Sequence, residues 1–438
     1  MDMEFVKTVY QGGFDKHDWY SVFNNYGKRL VSHVYSKSFI HSSAALASQS
    51  QEILNARLLP LLDESSAQGV DVHSLFPGAV MDLISAYCFG LRGGSNFIQG
   101  KAYRDHWLRL YKVRKANGFF KQELPRLSRA LQLFGLDPTP SWATAANKEL
   151  EAWCEELSDS SIAVVRGSTN SASLDTADDP IVVRSMLSGI EKLERSTTGS
   201  SSSASSEALL YSTLVRQRDL SVASEIFDHL LAGQETTGVT LTYLAWHLSR
   251  APGLQSELRA ELSTLTPGMR RGADGRAAAP DPKQLDGLSL LHAVIIETVR
   301  RYAPAGGPEP RVTPPPSSRI GPYEIPGGVR ISASVYNLHR DERYYPGAET
   351  WDHTRWLPCG GGDEKGLEQR HRQFWGFSSG GRMCLGSNFA MYEMKLLVAA
   401  VYSNFASYIV NDDGIEPTDG YTAHPKSGQL WLRFEKII

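Results

Sequence analysis

The chain has 438 residues, 41% of them apolar, which is enough to bury a large core in one big domain or two. Lys and Arg number 45 against 48 Asp and Glu, a formal net charge of −3, so no basic field for a nucleic acid is implied. Cys88, Cys154, Cys359 and Cys384 make neither a disulfide framework nor a CxxC zinc pattern, which suits a reducing intracellular compartment.

The first residues, Met1 to Lys7, are charged and lack the apolar core of a signal peptide. Residues 1 to about 165 read as helical, with apolar positions at three- and four-residue spacing in 53–59 and 80–84. Residues 168–180 and 196–206 are rich in Ser, Thr, Gly and Asp and read as loops; neither marks a domain boundary, so one domain over 1–438 is expected. A long helix follows over 221–249, with Ser221 as its N-cap and Ser224 and Glu225 in its first turn. Another spans 288–302 and stops at Pro304. From Arg311 to Ser334 short strands alternate with turns at 314–316, 321–322 and 327–328. Residues 337–376 read as irregular. Residues 396–410 form the longest uncharged run, broken by Ser403, Asn404 and Ser407, and read as a buried helix followed by a strand rather than a membrane span. The tail 428–434 alternates like a half-buried strand.

Three local patterns carry chemistry. Cys384 ends a glycine-rich loop and precedes a helix, an arrangement in which backbone N–H groups and the helix N-terminus favour a thiolate. A lone cysteine is most often a small buried hydrophobe. Its neighbours argue otherwise here: Gly380 and Gly381 let the backbone approach a flat ligand, Arg382 offers a fork to a carboxylate, and Phe377 can pack beside the sulfur. Glu297 and Arg300 share a helix face at three-residue spacing. Alone they are an ordinary surface pair; apolar Leu291, Val294, Ile295 and Ile296 beside them imply a buried one. In Ala232-Gly233-Gln234-Glu235-Thr236-Thr237, Gly233 and the nearby Gly238 leave room, carbonyls freed near a kink can bind water, and the Thr236 hydroxyl and a solvent-linked Glu235 carboxylate can move protons. By itself the hexamer reads as well as a helix with a packing glycine.

Together these patterns resemble cytochrome P450. Phe-x-x-Gly-x-Arg-x-Cys-x-Gly resembles that family's haem-binding signature, and Phe377, Gly380, Arg382, Cys384 and Gly386 fill all five positions. Residues 232–237 resemble its oxygen-activation motif. Glu297 and Arg300 resemble its Glu-x-x-Arg pair, and 351–356 the stretch that supplies a third partner, Arg355, with His353 where proline is usual. Residues 26–36 are similar to the family's C-helix, with Lys28 at an arginine position and Asn24 at a tryptophan position.

The resemblance implies a mainly α prism with small β sheets, N-terminally short: the chain would begin just before the C-helix, without the usual anchor, hinge and first sheet. It implies haem b with Cys384 as axial iron ligand, Phe377, Gly380 and Gly386 around it, and Arg382, Arg311 and Lys28 as cationic partners of the propionates. Thr236 and Glu235 would relay protons; Glu297, Arg300 and Arg355 would hold the core. The implied activity is a monooxygenase acting with O2 on a small apolar organic substrate, in fungal secondary metabolism. NADPH would feed it through NADPH-cytochrome P450 reductase, because no flavin or dinucleotide fingerprint is present. No nucleic acid is expected. A reductase-independent haem-thiolate isomerase or dehydratase, and a non-catalytic haem-binding remnant, are the alternatives. Endoplasmic reticulum association follows from the family only. A basic docking face would comprise Arg370, Arg372, Lys395, Lys28, Arg29 and Lys37, and an apolar pocket Phe227, Leu231, 304–308, Ser427 and Gly428.

Overall fold

The computed structural model describes residues 3–16, 28–65, 67–167, 174–197, 214–358 and 364–437. It is mainly helical, with three small sheets. The principal helices are α1 (Val72–Phe89), α2 (Lys101–Ala116), α3 (Ser141–Gly167), α4 (Ile181–Thr197), α5 (Arg218–Arg250), α6 (Ser289–Tyr302), α7 (Glu364–Gln373) and α8 (Ser387–Asn404). Contacts divide the chain into two compact units: Asp18–Ile53 with Gly78–Gln234, and Met1–His17 with Leu54–Pro77 and Glu235–Ile438.

The first unit is helical. Along α2 and α3, Trp107 stacks on Tyr111 and meets Trp153 edge-on at 5.5 Å. The buried Asp82 carboxylate accepts the backbone N–H groups of Phe97 and Ile98 and the Ser95 hydroxyl, which pins the turn after α1. A buried carboxylate with three such donors is satisfied without a cation. Helix α1 is long and apolar enough to cross a membrane by length and composition alone, but 94% of it is buried within the fold, as expected of a core helix.

The second unit carries all the sheets: β1 (Asp15–Lys16), β3 (Pro308–Val312) and β6 (Arg330–Ser334) in one, β2 (Val70–Asp71), β8 (Trp431–Lys436) and β7 (Phe405–Asn411) in another, and the hairpin β4 (Ser317–Ile320) with β5 (Tyr323–Pro326). All pairings are antiparallel. The Tyr10 hydroxyl donates to the Glu309 carbonyl and accepts the Ala333 N–H, so the N-terminal turn is clasped by β3 and β6. Val6, Val9 and Tyr10 join Ala303, Ala333, Leu338 and Trp375 in one apolar cluster.

Several expectations are corrected. Helix α5 begins three residues early: the Ser221 N–H donates to the Gln217 carbonyl, so Ser221 lies inside the helix, and Asp219 in the first turn pairs with Arg166 at 2.6 Å. The stretch 337–376 contains α7, whose residues are all at least partly exposed. With no apolar face to repeat, the sequence carries no periodic signal for it. The segment resembling a C-helix is helical only over Lys28–Val31 among the described residues; turns follow, then a helix Lys37–Ser42 capped by the Ser36 hydroxyl, which accepts the Phe39 N–H. Asn24 and 198–206 of the expected loop 196–206 lie outside the described residues, while 196 and 197 end α4.

One polar knot lies within the second unit's core. Glu297 and Arg300 on α6 are fully buried and bond in parallel, Nε to Oε2 and Nη2 to Oε1, each at 2.8 Å. Arg300 also donates to the carbonyls of His339, Ala348 and Thr350. Glu297 accepts the Asp352 N–H and the Trp356 indole N–H, and Arg355 Nε lies 3.4 Å away, an ion-pair distance rather than a hydrogen bond. Every strong donor and acceptor of the pair is used, which is what makes its burial tolerable. We expect Glu297→Ala to cost about 3–5 kcal/mol, because it strands Arg300 and Arg355 in the core. A denaturant melt with an unchanged midpoint would overturn this.

His339 extends the knot, its ring Nε2 accepting the Trp375 N–H at 2.9 Å. Burial, then the Arg300 charge, pushes its imidazole from 6.5 down to about 3. Between those values the unfolded chain binds a proton that the folded chain refuses. The folded state keeps its full advantage above pH 6.5 and loses it as the pH falls toward 3. We expect this residue to contribute up to about 1.4 kcal/mol of lost stability per pH unit in that window. The loss should shrink in His339→Gln, whose amide oxygen can still accept from Trp375. Equal slopes of unfolding free energy against pH in the two proteins would refute the assignment.

Candidate functional site

The loop 376–386 connects the cluster under α6 to α8. It is held from three sides: the Trp375 N–H by His339, the Trp375 indole by the Ser379 hydroxyl, and the Ser378 hydroxyl by the Glu309 carboxylate on β3 at 2.9 Å. Ser378 and Gly380 have positive φ, +60° and +73°. At Gly380 a Cβ would lie 2.3 Å from the Tyr10 carbonyl oxygen, so glycine is required both by its conformation and by the N-terminal turn packed on it. The expectation that Gly380 makes room for a flat ligand is thus replaced by a contact within the protein. Gly381 and Gly386, by contrast, have open space where a Cβ would stand.

Cys384 closes this loop, its N–H donating to the Phe377 carbonyl at 2.9 Å, and α8 starts three residues later, N-capped by Gly386. Its thiol is exposed, as is Arg382; Phe377 is half-buried. Cys88 and Cys154 are both buried, and burial raises their thiol pKa values, that of Cys154 to about 12. Both therefore stay protonated, and Cys384 is the accessible thiol among the described residues. Cys359 lies outside them.

Helix α5 runs as one continuous helix through 232–237. Gly233 faces Ile84 at ordinary contact distance, whereas a Cβ at Gly238 would meet Pro77 at 2.6 Å, so the second glycine is there for close packing. Thr236 is half-buried. Glu235 is not open to solvent as expected: it is 7% exposed, and its Oε1 accepts from His424 Nε2 at 2.5 Å and from the Thr422 hydroxyl at 3.1 Å. Next to Thr236, Thr237 hydrogen-bonds the buried Glu393 carboxyl on α8; burial raises that carboxyl's pKa well above the ordinary value and the Thr237 bond only partly offsets it. This contact ties the helix that follows Cys384 to the helix that carries Thr236.

Arg311 is 2% exposed, 4.5 Å from the Tyr10 ring centroid and 3.6 Å from Glu309. It is thus a buried partner of β3 and the N-terminal turn rather than an open cation. Lys28 begins a short helix in the other unit, and its side chain lies outside the description. Of the expected basic docking face, Lys395 drops out, Arg372 and Lys37 are exposed, and the side chains of Lys28 and Arg29 lie outside the description. Lys395 is buried and paired with Asp286 at 2.9 Å, Arg370 donates to the Arg355 carbonyl, and Arg372 pairs with Glu368. Of the pocket candidates, Phe227 and Leu231 are buried in one unit, and Pro304–Pro308, Ser427 and Gly428 belong to the other. Tyr10, Glu309, His339, Thr422, His424 and His73 escaped the sequence reading. His424, for example, is 189 residues from Glu235, and no local pattern marks such a pair.

The chain matches the family model "Cytochrome P450" over residues 28–431. It is 36% identical over 219 residues to cytochrome P450 monooxygenase FGM1 of Gibberella zeae, covering 50% of this chain and 41% of that protein. It is 33% identical over 184 residues to cytochrome P450 monooxygenase aflV of Aspergillus parasiticus, covering 42% of this chain and 33% of that one. The match thus spans about two-fifths or less of these relatives' length. The structure superposes on the heme domain of cytochrome P450DA with a TM-score of 0.70 at 18% identity, over 100% of this chain and 87% of that one, which shows a shared fold. The exposed thiol in its glycine-containing loop, the buried Glu297–Arg300 knot and the 404-residue span of the family match agree: this chain belongs to the cytochrome P450 family.

Proposed function

We propose that the protein is a haem-thiolate monooxygenase that places one atom of O2 in a small apolar organic substrate and reduces the other to water. The observation that carries this reading is the pairing of exposed Cys384, ahead of α8, with Thr236, beside the Thr237–Glu393 contact that joins α5 to α8. Haem b fits the donor set: the exposed Cys384 thiol, open space at Gly381 and Gly386, and an exposed guanidinium at Arg382. When bound, the haem supplies the iron at which O2 is activated.

The remaining roles belong to the chain. Cys384 would supply the thiolate that holds the haem iron, and the loop's fixation by His339, Glu309 and Ser379 limits where its sulfur can go. Arg382 offers two parallel N–H donors to a propionate. Arg311, at ion-pair distance from Glu309, steadies the strand beside the loop. The Thr236 hydroxyl donates and regains a proton at Oγ1, and Glu235 replenishes it. That acid–hydroxyl pair favours oxygen activation over an isomerase or dehydratase, which needs no such proton supply. Electrons come from NADPH through NADPH-cytochrome P450 reductase, and the fungal sources of the relatives support a role in fungal secondary metabolism.

In Cys384→Ala the thiolate-type carbon monoxide difference band of the reduced protein should vanish, while Cys88→Ala and Cys154→Ala retain it in whatever fraction folds. Retention of the band by Cys384→Ala would remove the assignment. Thr236→Ala should still bind haem but release several times more hydrogen peroxide per NADPH consumed, with added reductase and a substrate that shifts the haem spin state. An unchanged ratio would take Thr236 out of the mechanism, and no NADPH consumption under any condition would count against the monooxygenase reading.

A further inference from the structure

The Glu235 carboxylate is the inner end of a chain of three titratable groups. Its Oε1 accepts from His424 Nε2 at 2.5 Å, and His424 Nδ1 lies 3.2 Å from His73 Nε2. The two imidazoles stand edge to face, centroids 5.4 Å apart. The chain passes from nearly buried Glu235 through His424, whose side chain is 27% exposed, to buried His73. Thr422 adds a second donor to the same carboxylate oxygen, and Asp71 on β2 takes the backbone N–H groups of His73 and Leu430, which ties the His73 end of the contact to the C-terminal sheet.

We infer that His73 and His424 form a proton conduit to Glu235, with His424 holding the carboxylate and His73 setting which nitrogen of His424 carries the proton. Hydrogen-bond parity fixes the positions of the protons. The carboxylate can only accept from Nε2 of His424, so that nitrogen carries hydrogen. In neutral His424 the opposite nitrogen, Nδ1, is then an acceptor, and His73 Nε2 must donate to it. His73 Nε2 passes its proton to His424 Nδ1 as its own Nδ1 takes one up from water, which makes the His424 ring cationic; loss of the Nε2 proton to Glu235 Oε1 makes it neutral again. The carboxylate becomes a carboxylic acid: N–H bonds break at Nε2 of both histidines, N–H bonds form at Nδ1 of both, and one O–H bond forms. The partly exposed side of His424 is where water reaches the pair. The acid of the 232–237 motif would thereby be recharged from the protein surface, while Thr236 spends its proton on the other side.

This rests on the monooxygenase reading, so the test has one arm that needs no turnover. The Glu235 carboxylate infrared band of the resting, haem-loaded protein is assigned by its loss in Glu235→Gln. It should shift in His424→Ala and in His73→Ala, and stay in His424→Gln, whose amide N–H can replace Nε2 as donor. Under turnover with reductase, His424→Gln should nonetheless raise peroxide per NADPH by roughly tenfold, less than the 10²–10⁴ of a direct acid–base group, and enlarge the solvent isotope effect, because an amide holds the carboxylate but does not pass a proton. Wild-type coupling and isotope effect in His424→Gln would reduce the pair to a structural clasp and overturn the proposal. So would a Glu235 band indifferent to His73→Ala. If the wild-type protein consumes no NADPH, the monooxygenase reading fails separately, and the infrared arm alone decides whether His73 governs Glu235.

Discussion

The Glu297–Arg300 pair is the constraint on which much of the second unit depends. A charge pair taken wholly out of water survives only if its remaining donors and acceptors are met, and here they are met by backbone. Three carbonyls, at His339, Ala348 and Thr350, and the Asp352 N–H must converge on α6. That requirement shapes 339–356, a stretch with little regular structure of its own. His339 then passes the constraint on, holding the Trp375 N–H and so the start of the cysteine loop.

The loop illustrates how a chemical group is positioned without regular structure. Its backbone takes two positive-φ turns, at Ser378 and Gly380, and is anchored by side chains from β3 and from the loop itself. Glu309 does double duty. It accepts from Ser378 and lies beside Arg311, while burial raises its pKa above the ordinary value and the Ser378 bond and the Arg311 charge pull it back. A carboxylate in that balance links the sheet to the loop more firmly than an apolar contact would, since its geometry is directional.

On the other side, α5 serves by packing. Gly238 admits Pro77 against the helix backbone, and Thr237 reaches Glu393. The acidic residue of the motif is enclosed by Thr422 and His424 instead of standing in solvent. Its protonation is therefore a property of its partners as much as of the carboxyl itself.

Much was legible in the sequence because it is local. The order of helices and strands from 288 to 334, the helix-to-strand change near Phe405, the Glu297–Arg300 spacing and the Cys384 signature all reside in runs of a dozen residues or fewer, where periodicity, turn residues and side-chain spacing act directly. The helical start of α5 and the whole of α7 were not legible, since neither announces itself by an apolar stripe or a strong cap. What only the tertiary structure decided is which distant groups meet. Tyr10 against Gly380 and Arg311, Lys395 against Asp286, and His73 and His424 with Glu235 are each separated by more than a hundred residues. Such contacts leave no mark in local spacing, because they arise from packing between elements, and that packing decides whether a charged residue is a surface cation, a buried partner or a link in a proton path.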